Sequence, residues 1–261
     1  MNLKIISYLF LFLAIGFFYS CKSAKLSDAE EKQRIGEYFE AAAIYRKVYT
    51  KTPPAKRDLR GYIAFRMAEC NRLINNTPRA TSAYMNALRY KYPDSIVNLR
   101  LGQMYQKSGR YGEAVKYYND YLLAEPGSVL AFTGVTGCEE AVKWKQSPTR
   151  YTGKRMDKFN SRRSEFSPML YGEKYDQLYF ASTRPPTGAG KDTEDTNRAI
   201  TGQRNNDLFR VKQDANGAWL APVELEDEVN TEFDEGTPSC SQDGNTTYYT
   251  NCAQLPVGTR T

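Results

Sequence analysis

Histidine is absent from the 261 residues of this chain. The absence excludes Ser-His-Asp and Cys-His catalytic arrangements built from the chain's own residues, and it excludes zinc or haem sites with imidazole ligands. It also removes the side chain that most often acts as a general base near neutral pH. An enzyme hypothesis for this sequence therefore starts from a deficit. Taking the whole sequence together, we expect no catalytic residues, no metal site and no cofactor.

Long hydrophobic runs are also scarce, and the one at the N-terminus is informative. It extends from Ile5 to Phe18, after a single cation at Lys4 and before Ser20 and Cys21. The run is short for a membrane-spanning helix but has the length of the apolar region of a signal peptide. An uncleaved anchor and an ordinary secretory peptide remain open as alternatives to a lipoprotein signal.

The small residue before Cys21 resembles the lipobox of bacterial lipoproteins, although Phe18 and Tyr19 are bulkier than its usual residues. The resemblance implies a signal peptide over residues 1–20 and a lipidated N-terminus over residues 21–24. Acyl chains on Cys21 would then hold the protein on a membrane. Because no aspartate follows Cys21, the expected location is the outer membrane, lipid-anchored on its periplasmic face.

Cysteine is infrequent, with five residues in the chain, and none of them forms a CxxC pair. Cys70 and Cys138 fall on the apolar faces of predicted helices, which indicates core positions. A disulfide between Cys240 and Cys252 is conceivable in an oxidising compartment. The predicted hairpin, however, places Thr247 opposite Cys240.

Charge is divided unevenly along the chain. Residues 22–160 contain 25 Lys and Arg against 14 Asp and Glu, whereas residues 161–261 contain 10 against 16. Opposite signs in the two parts indicate two modules. The basic part is interpreted as a solvated helical surface, with an anionic membrane, peptidoglycan or an acidic partner as alternatives. Nucleic acid is not an expected partner, because the N-terminal segment directs the chain to the envelope.

An alanine followed four residues later by tyrosine occurs three times, and a proline lies 12 or 13 residues after each alanine. The pairs are Ala41 and Tyr45, Ala80 and Tyr84, and Ala114 and Tyr118. The last step is 34 residues and the first is 39, which suggests a short insertion around residues 52–58. The pattern resembles the tetratricopeptide repeat (TPR). It predicts paired helices over residues 25–145, closed by a helix within 128–144 and followed by a linker over 146–160.

The TPR resemblance also implies a concave face formed by the first helix of each pair, to which partners would bind. Aligning the first helices of two repeats with the TPR register gives four expected partner-binding residues in each. Ordinary packing between helices also accounts for aromatic residues at these positions. The first four are Tyr62, Phe65, Glu69 and Arg72, and the second four are Ile96, Leu99, Gln103 and Gln106.

The tripeptide Asp94-Ser95-Ile96 has two possible meanings. It resembles a short motif that Bacteroidetes use for O-glycosylation. It also fits a helix N-cap, in which a side-chain oxygen accepts a free backbone N–H, and this interpretation is favoured.

Two stretches of the acidic part, residues 164–184 and 234–251, share a hydroxyl residue followed by proline, a polar turn and an aromatic pair. Between them the sequence predicts strands over Asp207–Gln213 and Ala218–Leu225, joined at Asn216-Gly217. This order resembles the WD40-like repeat of periplasmic propellers. Residues 161–261 would then form a first blade and the start of a second. Since a propeller needs at least four blades, we expect it to be incomplete here.

The predicted fold is thus an α + β multidomain chain, with an all-α TPR-like solenoid followed by an incomplete all-β propeller. A lipobox, TPR array and propeller in this order resemble Bacteroidetes OmpA-family lipoproteins of the type IX secretion and gliding machinery. The resemblance implies a non-catalytic adaptor whose partners are proteins of the secretion and envelope machinery. Peptidoglycan would be bound only through domains absent from this sequence.

Two further functions remain as alternatives. Related propellers gate serine peptidases, and such a function would require a catalytic domain that this sequence does not contain. Glycan-capture lipoproteins of the SusD type also use helical repeats. They lack a propeller, so the predicted blade argues against this alternative.

Overall fold

The computed structural model describes residues 24–185, 198, 200–226, 228–243 and 245–252. Within these residues, seven helices occupy the part up to residue 146 and six strands the part from residue 165. The predicted signal peptide and Cys21 lie outside the described residues. None of the described helices combines the length and the apolar character needed to cross a membrane.

The helices form a linear array in which each packs against the next along the chain. They are α1 (Leu26–Arg34), α2 (Tyr38–Lys51), α3 (Arg57–Leu73), α4 (Thr77–Arg89), α5 (Ile96–Lys107), α6 (Tyr111–Ala124) and α7 (Val129–Gln146). Helix α5 also contacts α7. Packing of each helix pair against only the adjacent pairs is characteristic of a repeat solenoid. The region is therefore a TPR-like array of three helix pairs and a closing helix.

The repeated alanine and tyrosine of each second helix form the core of this array. All six of these side chains are at most 2 % exposed. Each tyrosine hydroxyl donates to a side-chain oxygen on the first helix of its own pair, so that no buried hydroxyl is left without a partner. The acceptors are Gln33 for Tyr45, Glu69 for Tyr84 and Gln106 for Tyr118. The predicted alignment is confirmed by this shared packing.

Two glycines allow the third pair and the closing helix to approach each other. A β-carbon added at Gly102 would lie 2.6 Å from the Tyr118 ring, and one added at Gly134 would lie 2.5 Å from it. Both distances are shorter than any normal carbon–carbon contact. The Tyr118 ring therefore fills the space between α5 and α7 that the missing side chains leave.

The longer first repeat is accommodated differently from the prediction. Helix α2 ends at Lys51, and the Thr52 hydroxyl donates to the Val48 carbonyl oxygen at 2.8 Å. Helix α3 then begins at Arg57 and has 17 residues, whereas α5, its counterpart in the next pair, has 12. The additional residues mostly lengthen a helix, where their backbone groups are hydrogen-bonded, and do not form an inserted loop.

The Asp94-Ser95-Ile96 segment caps α5. The Ile96 N–H donates to the Asp94 carboxylate at 2.9 Å, which satisfies one of the free donors at the start of the helix. The favoured N-cap interpretation is therefore confirmed, with Asp94 as the acceptor.

The second module consists of antiparallel strands. They are β1 (Glu165–Tyr171), β2 (Gln177–Ser182), β3 (Asp207–Lys212), β4 (Val223–Glu224), β5 (Glu235–Cys240) and β6 (Thr247–Asn251). Strands β1 to β4 form one sheet in chain order, and β5 and β6 form a separate hairpin. The hairpin packs against β1, β2 and β3. Within the described residues these strands do not close into a ring.

The strand predicted at Ala218–Leu225 is mostly wrong. Only Val223 and Glu224 pair as a strand, and Trp219 contributes one isolated bridge to Gln213. Pro222 has no backbone N–H to donate, so it interrupts the ladder between these two places.

The two similar stretches adopt the same local structure. Both strands carry a bulge at the hydroxyl residue before proline, where the pairing register shifts. Ser167 has φ 50° and Thr237 has φ 48°, a left-handed conformation that is rare for residues other than glycine. In the second hairpin Cys240 lies opposite Thr247, as predicted, and all four described cysteines are free thiols. The stretches are two copies of one unit.

Candidate protein-binding groove

The expected partner-binding residues lie on one face of α3 and one face of α5. Their spacing of three or four residues places each set along a single stripe of its helix. Seven of the eight side chains are partly exposed, but Leu99 is only 4 % exposed and belongs to the hydrophobic core. Leu99 therefore packs inside the array and is not available to a partner. The partly exposed stripes of the two first helices are called the concave groove below, after the concave face that the TPR resemblance implies.

The aromatic end of the concave groove is held by contacts to other elements. The Tyr62 hydroxyl donates to the Glu30 carboxylate of α1 at 2.8 Å. The Phe65 ring stacks on Tyr92, with 4.5 Å between ring centroids and 10° between planes. Tyr92 lies in the loop before α5. These two side chains are consequently fixed in position before any partner binds.

The centre of the concave groove is a network around the Glu69 carboxylate. Arg72 pairs with it at 2.7 Å and Arg100 at 3.2 Å, and the Tyr84 hydroxyl also donates to it. Burial alone would raise the pKa of Glu69, but the hydrogen bonds from Arg72 and Tyr84 outweigh burial and lower it. Glu69 is therefore ionised at neutral pH and links α3, α4 and α5.

The far end of the concave groove is amide-rich. Gln103 accepts a hydrogen bond from Arg100 at 3.0 Å, and Gln106 accepts one from the Tyr118 hydroxyl at 2.6 Å. A β-carbon on Gly137 would lie 3.2 Å from the Gln106 amide nitrogen, so α7 adjoins this end. Ile96 is partly exposed at the start of α5. The surface thus continues across successive first helices.

Two arginines of the groove were not among the expected residues. The Arg66 Nε is buried without a hydrogen-bond partner. Burial lowers the pKa of the Arg66 guanidinium, but its interactions with neighbours, chiefly Tyr45, outweigh burial and raise it. Arg100 supplies the ion pair to Glu69 described above. These arginines stand 34 residues apart, at the same position of consecutive repeats. The repeat length alone could have identified them.

The side chains of the concave groove and of the nearby core offer several kinds of contact. Among these residues, no group of three or more His, Cys, Asp or Glu side chains is arranged to hold a metal ion. Burial raises the pKa of the Cys70 thiol to about 12, so that Cys70 is a neutral core side chain. The groove offers guanidinium and amide donors, carboxylate and amide acceptors, and two aromatic rings, which together can bind a polypeptide segment.

Several solved structures resemble the helical part. The crystal structure of MamA shares 18% sequence identity and covers 46% of this chain and 67% of its own, with a TM-score of 0.39. The Sgt2 TPR domain from Aspergillus fumigatus shares 16%, covers 55% and 93%, and has a TM-score of 0.40. A C-terminal TPR-containing domain of a Plasmodium falciparum FK506-binding protein shares 16%, covers 48% and 92%, and has a TM-score of 0.42. No protein-family model and no curated protein sequence matches the chain.

Proposed function

We propose that this chain is a non-catalytic scaffold that binds a segment of a partner protein in the concave groove. The observation that carries the proposal is the Glu69 network, which joins three helices into one fixed surface with exposed aromatic and amide groups beside it. A surface that is already ordered loses little side-chain entropy when a partner binds. The proposal concerns binding alone and assigns no reaction to any residue.

The partner is proposed to be a protein of the secretion or envelope machinery. Support comes from the N-terminal sequence, in which an apolar run ends at Ser20 and Cys21. A lipid-modified Cys21 would hold the scaffold on the periplasmic face of the outer membrane. Helix α1 begins at Leu26, so the array would lie close to that membrane. The proposal that the chain belongs to the OmpA-family lipoproteins of type IX secretion rests on the order of the lipobox, the TPR array and the WD40-like repeat in the sequence.

Anchoring through Cys21 can be tested by replacing it in cells. Cys21→Ala should move the protein from the membrane fraction to the soluble periplasmic fraction, because acyl chains can no longer be attached. Metabolic labelling with a radioactive fatty acid should mark the wild-type protein and not the variant. Retention of Cys21→Ala in the membrane fraction would contradict lipid anchoring.

Partner binding can be tested by crosslinking mass spectrometry of the full-length protein in its native envelope. Tyr62→Ala combined with Phe65→Ala should abolish crosslinks between the concave groove and partner proteins. A matched control replaces Tyr151 and Tyr175, which are 76% and 66% exposed and lie outside the helical array. The control variant should retain the crosslinks.

Because Tyr62 and Phe65 also contact other helices, the melting temperature of the variant must be measured beside its crosslinks. Tyr62→Phe removes only the hydroxyl that donates to Glu30 and serves as a milder variant. A folded double variant that keeps every groove crosslink would refute binding in the concave groove.

A further inference from the structure

A second groove lies on the opposite side of the array, between α2 and α4. It has a volume of about 720 Å³, and the end of α3 forms its floor. The residues in this floor are Met67 and Asn71 of α3 and Ile74, which directly follows the helix. Met67 and Asn71 point away from the stripe of Phe65 and Glu69 by about half a turn of the helix. This surface, called the α2–α4 groove below, is therefore separate from the concave groove.

The charged residues that line the α2–α4 groove are all cations. They are Arg46 and Lys47 of α2 and Arg79 of α4. All three side chains are exposed, and none of them forms an ion pair within the part of the chain that the structure describes. Two of the four other exposed arginines of the array are instead paired with a carboxylate one turn away, namely Arg34 with Glu31 and Arg110 with Glu113. The three cations lack such neutralisation.

The α2–α4 groove also has an apolar lining. Phe39 and alanines of α2 lie on one side, Ala83 of α4 lies on the other, and Met67 and Ile74 form part of the floor. Polar side chains that can donate and accept hydrogen bonds lie beside them, namely Thr50, Ser82 and Asn86. A ligand that fits must therefore offer carboxylates at the rim and apolar side chains toward the floor.

An anionic lipid surface satisfies only the first of these requirements. A bilayer would contact the exposed cations from outside, whereas the apolar floor lies between two helices. An amphipathic peptide segment can place apolar side chains into such a cleft and direct its carboxylates toward the rim. The shape of the groove consequently favours a peptide over a membrane.

We propose that the α2–α4 groove binds an acidic amphipathic segment of a partner protein. Arg46, Lys47 and Arg79 would pair with its carboxylates, and Met67 and Ile74 would contact its apolar side chains. The site is independent of the concave groove, so the chain would hold two protein segments on opposite sides of one helical array.

The test is fluorescence anisotropy with the whole chain and a fluorescein-labelled 14-residue helical peptide that carries glutamates on one face and leucines on the other. The wild-type chain should bind this peptide, and binding should weaken as salt is added. Arg46→Glu combined with Arg79→Glu should weaken binding by about tenfold or more, because two attractions become repulsions. A peptide with lysine in place of glutamate should not bind the wild-type chain.

A matched control reverses two exposed cations elsewhere, Lys116→Glu with Lys145→Glu, and should bind the peptide like the wild type. The concave-groove variant Tyr62→Ala with Phe65→Ala should also bind it normally, which separates this proposal from the proposed function. Equal loss in the Lys116 and Lys145 variant would refute the site. So would unchanged binding by a folded Arg46 and Arg79 variant. A third outcome would also refute a peptide site: the wild-type chain binds phosphatidylserine vesicles but not the peptide, and the Arg46 and Arg79 variant no longer binds the vesicles.

Discussion

At the residue scale, Tyr118 depends on two positions that have no side chain. Gly102→Ala or Gly134→Ala should lower the free energy of unfolding by about 1–3 kcal/mol, because the new methyl group overlaps the Tyr118 ring. The loss should exceed the gain in helix propensity that alanine normally brings. Chemical denaturation of each variant measures the difference.

Gly112 provides the control for these substitutions. It lies in the first turn of α6, and a β-carbon added there would have no heavy atom within 4 Å. Gly112→Ala should therefore leave stability unchanged or raise it slightly. If all three variants were equally stable, the packing of Tyr118 between α5 and α7 would be wrong.

A buried carboxylate gives the strand module a pH-dependent stability. Burial, followed by nearby Glu224, Glu235 and Asp234, raises the pKa of Asp207 from 3.8 to about 7, although Arg204 opposes the shift. The stability that Asp207 contributes is complete below its ordinary pKa and is lost as pH rises through about 7. The wild-type module should therefore lose up to about 4 kcal/mol between pH 4 and pH 8.

Asp207→Asn should remove this pH dependence. Unfolding can be followed by the fluorescence of Trp219, which packs edge-on against Phe159 in the core of the four-stranded sheet. Since the chain has two tryptophans, a Trp144→Phe background isolates the signal. A pH profile that is the same with and without Asp207 would contradict the assignment.

Burial of single residues was only partly predictable. The alanine and tyrosine of each second helix were identifiable because their spacing is constant and their packing partners repeat with them. Phe65 and Leu99 occupy the same position of consecutive repeats, yet Phe65 is partly exposed and Leu99 is buried. The burial of a first-helix side chain depends on which side chains of the adjacent helix pair pack against it, and the repeat length does not predict these.

At the scale of elements, Glu69 connects three helices through one carboxylate. Glu69→Ala would leave Arg72, Arg100 and Tyr84 without this acceptor in a partly buried site, and should cost about 2–3 kcal/mol. Because interactions with Arg72 and Tyr84 lower the pKa of Glu69, this stability is present above the ordinary pKa of glutamate and is lost as pH falls through the lowered value. Denaturation of wild type and variant at pH 7 and pH 3 measures both effects.

Glu113→Ala is the control for Glu69→Ala. Glu113 also pairs with an arginine, Arg110, but both side chains are largely exposed. Surface ion pairs of this kind contribute little to stability. If Glu113→Ala were as destabilising as Glu69→Ala, the connecting role of Glu69 would be refuted.

The elements that differ from the sequence-based prediction do so for identifiable reasons. The additional residues of the first repeat extend α3, since its starting segment from Arg57 contains no proline and few strong helix breakers. The predicted strand after Gly217 is interrupted, since Pro222 cannot donate to a ladder. The sequence pattern located both segments. Whether each became a helix extension, a loop or a strand depended on which of its backbone groups could form hydrogen bonds.

At the scale of the whole molecule, an array in which each helix pair packs only against adjacent pairs should open from its ends. The interior helices α3, α4 and α5 are covered on both sides along the array, whereas α1 has described helical neighbours on one side only. Helix α7 has a largely exposed outer surface, on which Phe132 and Trp144 are 67% and 68% exposed. The free energy of local opening in such arrays falls toward the ends.

Hydrogen exchange followed by mass spectrometry should therefore show the slowest amide exchange in α4 and α5 and faster exchange in α1 and in the second half of α7. Gly102→Ala should speed exchange in α5, α6 and α7 more than in α1 and α2, because the disturbed contact lies between the third pair and the closing helix. Equal protection in all seven described helices would mean that the array unfolds as one cooperative unit. A change spread evenly over the array in the Gly102 variant would lead to the same conclusion, and the neighbour-only account of its stability would then be wrong.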